Sequence, residues 1–244
     1  MKSKPYLKVI DNTIDTIALQ GGLTAHVFYS EWQEDPLADD DYLGSMKINA
    51  WDKRCNRQDS DFCFESKPDF ERDILEPFLG FCDLADRKYY SVDCILDNIH
   101  IGAIVCYVLF WQKHERAFLT DKQHQALMRA YRRLQKRYYF DALGLLDHSR
   151  YHFYAGVKRG WDYSTIGFVA VKRNKEWNIQ SDEECCRLVK DALEAYEAYA
   201  NGEIYEVFIE DQNGEIVETH SNFYGWSDIK PFLDTNYGLL KEAA

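Results

Sequence analysis

The feature that most constrains this chain is the pair Asn213-Gly214, set between the apolar alternating runs 204–209 and 215–220. Asn-Gly in that setting predicts a two-residue hairpin turn, because the turn whose twist matches its strands needs positive φ at both central residues. The two runs are therefore expected to be antiparallel neighbours. Alternation sends Tyr205, Val207 and Ile209 to one face and Glu206 and Glu210 to the other. Glu218 is expected to join those carboxylates from across the turn. With Glu203, Asp211 and Glu215, the hairpin carries six acids and no Lys or Arg, so one side of the sheet should present carboxylates.

Local signals extend the reading upstream. Ser181-Asp182-Glu183-Glu184 is a capping box in sequence. After it, Cys185, Leu188, Val189, Ala192, Tyr196 and Tyr199 form the apolar stripe of a helix that stops at Asn201-Gly202. Residues 151–155 and 166–171 read as strands, completing a C-terminal α+β core over 145–235. Thr120 can cap a helix running from Asp121 to about Tyr138, with Leu127, Tyr131, Leu134 and Tyr138 on one stripe. This basic helix, within 120–140, carries Arg129, Arg132, Arg133, Lys136 and Arg137, with no acid between Lys122 and Arg137. Such a surface can pair with acidic segments of this chain or of a second subunit, or it can track a phosphate backbone.

The N-terminal part, 1–110, is less clear. Residues 6–19 alternate loosely around an Asp11-Asn12 turn signal, and 26–29 and 42–51 read as strands, with a loop over 54–64. A helix over 68–77 is expected to kink or stop at Pro77, with a short piece to Asp83. Residues 89–110, rich in β-branched and aromatic side chains, read as one or two buried strands broken near Asn98. The longest apolar run, 99–111, falls short of the roughly 20 residues that span a bilayer. The expected class is α+β: a single domain, 1–244, with one mostly antiparallel sheet and helices packed on one face.

Charge narrows the function. Forty-one acids against 29 Lys and Arg give a net charge of -12, which opposes a general nucleic-acid platform, since duplex binding draws on phosphate neutralisation. Seven scattered cysteines, no Cys-x-x-Cys spacing and no secretory signal point to reduced thiols and a cytoplasmic location. No metal site or cofactor is expected. The acidic stretch 31–41 contains Glu34, Asp35, Asp39, Asp40 and Asp41 but lacks the Gly and the closing Glu of a calcium loop. No nucleophile elbow or phosphate loop is present. A small hydrolase would have to be built on Asp147, His148 and Asp162, and that reading ranks last.

Several ordered segments resemble a family of accessory proteins found in bacteriophages, plasmids and conjugative elements. These are Asp35-Pro36 followed by Tyr42-Leu43-Gly44-Ser45-Met46, then Leu145-Leu146-Asp147-His148-Ser149, then Gly160-Trp161-Asp162 through Gly167. The tyrosine-rich helix, Glu203-Ile204-Tyr205 and the closing Asn222-Phe223-Tyr224-Gly225 complete the match. Arg150, Tyr163 and Asn222 depart from the pattern, where glycine, serine and tryptophan are expected. The resemblance implies an inhibitor of host defence, of anti-CRISPR or anti-restriction type, acting by stoichiometric protein binding. Its implied contacts are Glu34, Asp35, Asp39, Asp40, Asp41, Glu206, Glu210 and Glu218, competing with nucleic acid for basic side chains. The expected partner is a host defence protein or complex, with a homodimer as a further option. Direct nucleic acid, through the basic helix 122–137, ranks behind these, and no membrane is expected.

Overall fold

The computed structural model describes residues 13–39, 41–52, 54–55, 62, 67–81 and 90–240. The strands expected before residue 13, Asp40, most of the loop expected over 54–64 and residues 82–83 of the short piece expected after Pro77 lie outside them. The strands are β1 (Asp15–Ala18), β2 (Thr24–Tyr29), β3 (Met46–Ala50), β4 (Tyr138–His148), β5 (Arg150–Ala155), β6 (Tyr163–Lys172), β7 (Ile204–Glu210) and β8 (Ile216–Tyr224). The helices are α1 (Glu76–Phe81), α2 (Val92–Asn98), α3 (Ile101–Cys106), α4 (Gln112–Glu115), α5 (Asp121–Gln135), α6 (Asp182–Ala200) and α7 (Trp226–Tyr237). The class is α+β, and every strand pair is antiparallel. Where one sheet was expected there are two, ordered β1-β2-β7-β8 and β3-β6-β4-β5. The chain divides into two compact units, residues 1–38 with 194–244, and residues 39–193.

In the first unit, Leu19, Val27, Val207 and Ile209 are fully buried against Ile229 and Leu233 of α7. The β7 alternation is as expected, with Glu206 and Glu210 on the side away from this core. The turn differs. Gly214 N–H bonds the Asp211 carbonyl at 3.0 Å and Asp211 N–H bonds the Glu215 carbonyl at 2.9 Å. Within the turn only Gly214, at φ +77°, is left-handed. This is a three-residue loop with a bulge. Its cause is the Asp211 carboxylate, which accepts from the N–H of Asn213 (2.8 Å) and of Glu215 (3.0 Å) and so favours a turn with Asp at its first position.

In the second unit, Phe140, Phe168 and Ala170 of the sheet bury one face against Leu127, Ala130, Tyr131 and Leu134 of α5. Tyr139 points to the other face, where its hydroxyl lies 3.1 Å from Cys186 Sγ of α6. Thr120 and Gln123 form a capping box that starts α5, and Ser181 and Glu184 form the one that starts α6. Tyr138 leaves the helical stripe and opens β4.

Of the strands expected over 89–110, the described residues 92–98 and 101–110 are instead helical. Ser91 accepts from Cys94 N–H and caps α2, and His100 Nδ1 accepts from Gly102 N–H at 3.1 Å and caps α3. Residues 102–107 are all buried, so every face is apolar and no period distinguishes helix from strand. The run continues as a π turn, Tyr107–Trp111. Pro77 does not stop its helix either. It sits second in α1, directly after a π turn at Glu71–Leu75 in the same helical run, a local break in α-helical bonding that accommodates the missing N–H and the ring. Among the described residues no single helix is long and apolar enough to cross a membrane, and the five described cysteines, Cys55, Cys94, Cys106, Cys185 and Cys186, are free thiols.

Candidate functional site

Segments that carry the resemblance converge on one end of the second sheet. The β4–β5 turn brings Asp147, His148 and Ser149 there, and the start of β6 brings Trp161 and Asp162, because Leu146 pairs with Tyr163. The chain after β3 adds Asp52 and Arg54. Successive β4 residues point to opposite sides, so Asp147 and His148 find different partners. His148 Nε2 lies 2.9 Å from Asp162 Oδ2. Asp147 Oδ2 instead accepts from Arg54 at 3.0 Å, and Arg54 also donates to both oxygens of Asp52, at 2.9 and 2.7 Å. Asp52 first, and then Asp147, hold the Arg54 guanidinium firmly charged, and the Arg54 hydrogen bond holds the Asp52 carboxyl below its usual range.

This arrangement is poorly suited to catalysis. His148 and Asp162 are 68% and 50% exposed, so water is not excluded, and pairs of this kind contribute at most about 1 kcal/mol. The three residues proposed for a hydrolase form two separate pairs. The nearby Ser149 hydroxyl donates to the His148 carbonyl and offers no activated nucleophile. Ser149 also takes the left-handed conformation, φ +59°, that favours glycine. Among the described residues no group of three or more His, Cys, Asp or Glu is placed to hold a metal ion.

The β5–β6 loop is the most exposed part of this end. Its base is fixed by Gly156 N–H, bonded to the Ala142 carbonyl at 2.8 Å. Tyr154 lies across Gly144, where a Cβ would come within 2.0 Å of the ring, and packs edge-on to Tyr163 at 5.6 Å. Lys158 Nζ sits 4.5 Å from the Tyr154 ring centre, and burial pushes the Tyr154 hydroxyl pKa up. Beyond this anchor stand Val157, 60% exposed, and Trp161, 104% exposed, with the exposed Lys158 and Arg159 between them. In the sequence Trp161 stands out only as part of the Gly160-Trp161-Asp162 motif, and Arg54 only as a loop residue. A Trp close to Gly, Lys and Arg in a short hairpin loop was the available signal.

The acidic candidates are mostly engaged within the fold. The Glu34 carboxylate accepts from Asn222 Nδ2 at 2.9 Å, Asp35 from Leu37 N–H at 2.9 Å and Asp41 from Gly44 N–H at 2.8 Å. Glu206 accepts from the Ser30 hydroxyl at 2.7 Å, and Glu210 lies 2.8 Å from His26 Nε2. Asp39 is exposed. Glu218 does not join the Glu206 and Glu210 face: it stands opposite Ile209 and accepts from the Tyr237 hydroxyl of α7. That bond draws the Glu218 pKa down and, after burial, helps push Tyr237 up to about 12.

The basic helix is partly neutralised by its neighbours. Arg133 pairs with Asp93 of α2, and Arg129 donates to the Tyr90 carbonyl at 2.8 Å. Arg132, Lys136 and Arg137 are exposed, with Arg137 6.0 Å from the Tyr138 ring centre. Compared with family models, with curated proteins and with solved structures, the chain matches none.

Proposed function

We propose that this chain is a non-catalytic binding protein that acts by covering a surface of another macromolecule. The full exposure of Trp161 carries this reading. An indole left in water at an anchored hairpin tip gains most when a partner covers it, and buried Trp and Arg side chains dominate interface energetics. The resemblance favours a partner in a host defence complex, inhibited stoichiometrically. The net charge of -12 favours basic surfaces on that partner, with Glu206 and Glu210 as the carboxylates set together on one strand face.

The test is affinity capture from a nuclease-treated host lysate with the wild-type chain, Trp161→Ala, and a Glu206→Lys, Glu210→Lys double variant. The expected result is one stoichiometric protein partner, lost with Trp161→Ala at unchanged circular dichroism and weakened by the double variant. Equal capture of that partner by Trp161→Ala would refute the tip as its contact. Recovery of nucleic acid from untreated lysate, lost when Arg132, Lys136 and Arg137 become Ala, would replace the reading with a nucleic-acid module.

A further inference from the structure

A cleft of about 370 Å³ lies in the second unit, where the apolar helical run ends and α5 begins. Val108, Leu109 and Phe110 of the π turn supply its apolar wall, and Phe110 is braced edge-on against Trp51 at 5.8 Å. A π turn closes its hydrogen bonds one residue further along than an α turn, so the helix after it runs out of phase, and such turns are frequent at functional sites. Lys113 and Arg116, from the turns that follow, border the same cleft, with Gln112 as a further polar neighbour. The first turns of α5 add His124.

The ionisable groups around the cleft are donors. Tyr107 is fully buried, and its hydroxyl lies 2.8 Å from His124 Nδ1. Burial keeps the phenol protonated and the imidazole neutral, pushing the Tyr107 pKa up and the His124 pKa down. The phenol therefore donates to Nδ1, and the imidazole carries its own hydrogen on Nε2. Arg116 is fixed by donating to the Leu119 carbonyl at 2.7 Å and to the Asp121 carboxylate, so Asp121 offsets its charge. Lys113 is exposed and has no ion pair or hydrogen bond among the described residues. Glu115 and Asp121, the acids nearest in sequence, do not line the cleft. One ammonium without a counter-charge and one imidazole N–H thus stand beside an apolar wall.

We propose that this cleft binds a small monocarboxylic acid, its carboxylate on Lys113 and His124 Nε2 and its apolar body against Val108, Leu109 and Phe110. A single cation without a counter-charge matches a monoanion, whereas a phosphate dianion would keep a charge that nothing lining the cleft neutralises. A carboxylate takes a charge-assisted bond from the ammonium and still has an oxygen for the imidazole N–H. The three apolar side chains then give the rest of the ligand surface to leave water for. The volume lies near the lower end of the roughly 300–1,000 Å³ typical of small-molecule pockets, which fits an acid with one ring or a chain of similar length and excludes a dinucleotide-sized cofactor.

The test titrates 3-phenylpropanoate, its neutral amide 3-phenylpropanamide, and acetate into the full chain at pH 7.5 and follows the imidazole C–H resonances. The His124 signal is assigned by its loss in His124→Gln. The acid should shift that signal saturably with a Kd below about 1 mM, and the amide and acetate should each bind at least about tenfold more weakly. Lys113→Ala, at an exposed position and with circular dichroism unchanged, should weaken the acid by about fivefold or more, and Lys113→Arg, which keeps the charge, should retain most of the affinity. A His124 signal unmoved by the acid would overturn the proposal. So would an amide or acetate that binds as well as the acid, or wild-type affinity in Lys113→Ala.

Discussion

Gly167, in the middle of β6, offers a sharp test of how the second sheet is built. It pairs with Ala50 of β3 on one side and Leu143 of β4 on the other. A Cβ at this position would lie 2.1 Å from the Asn49 carbonyl oxygen and 2.8 Å from Ala50 Cα. Both are backbone atoms of a paired strand, so no side-chain rotation relieves the clash and β3 itself must move. Gly167→Ala therefore adds overpacking strain of about 1–3 kcal/mol. It also puts at risk the hydrogen bond beside the clash from Trp51 N–H to the Ile166 carbonyl at 2.9 Å, with a net value of about 1 kcal/mol. The sum is about 2–4 kcal/mol, a large part of the roughly 5–15 kcal/mol that stabilises a typical domain. With a urea m-value of about 2 kcal/mol/M, the unfolding midpoint should fall by about 1–2 M. Gly80→Ala is the control. Gly80 lies in α1 with nothing within 4 Å of its added Cβ, and the substitution should stabilise by about 1 kcal/mol. Equilibrium urea titration followed by far-ultraviolet circular dichroism measures both. A Gly167→Ala protein within about 1 kcal/mol of wild type would refute the close β3–β6 approach.

Thr120→Ala removes the hydroxyl half of the α5 capping box and should cost about 1 kcal/mol in the same titration, with Thr120→Ser largely restoring it. Burial holds the pKa of both His100 and His124 below the ordinary histidine value. Their neutral forms therefore contribute stability that is full above about pH 6.5 and is lost as pH falls below that value toward the lowered folded-state pKa. Thermal unfolding should occur at lower temperature at pH 5.5 than at pH 7.5. His100→Asn combined with His124→Gln should flatten that difference, and an unchanged slope would count against the burial argument. Reversing Glu206 and Glu210 to Lys should weaken capture of a basic partner while losing the His26 and Ser30 bonds, so capture must be compared with Glu206→Gln, Glu210→Gln. If the neutral and reversed pairs capture alike, charge is not what the partner reads.

The exposed tip and the β3 end are mechanically linked through short chain segments. Arg54 follows the last residue of β3 by four positions and holds Asp147, the neighbour of His148. A displaced β3 should therefore loosen the β4–β5 turn without touching Trp161. Gly167→Ala should reduce partner capture less than Trp161→Ala, because the first perturbs the support and the second removes the contact.

What the sequence determined by itself is local. Ser181 and Glu184 cap α6, Thr120 starts α5, Gly202 ends the helix and β7 alternates, because each depends on groups within a few residues of one another. Even there a neighbour could change the outcome: Asp211 turned the expected two-residue hairpin into a bulged three-residue one by binding the N–H groups of Asn213 and Glu215. The tertiary structure decided the rest. Residues 101–111 are helical because a uniformly apolar run carries no period, and only the partners around it select helix over strand. The division into two sheets depends on β2 pairing with β7 across nearly the whole chain, and no local signal records such a pairing. The same holds for the candidate site. Asp147, His148 and Asp162 were visible as residues, but strand alternation together with the position of Arg54 separated them into two pairs, Asp147 with Arg54 and His148 with Asp162, and the exposure of Trp161 follows from a loop base fixed by Gly156 and Tyr154. A side chain's type is written in the sequence, whereas its partners and its access to water are set by distant segments that meet only in the folded chain.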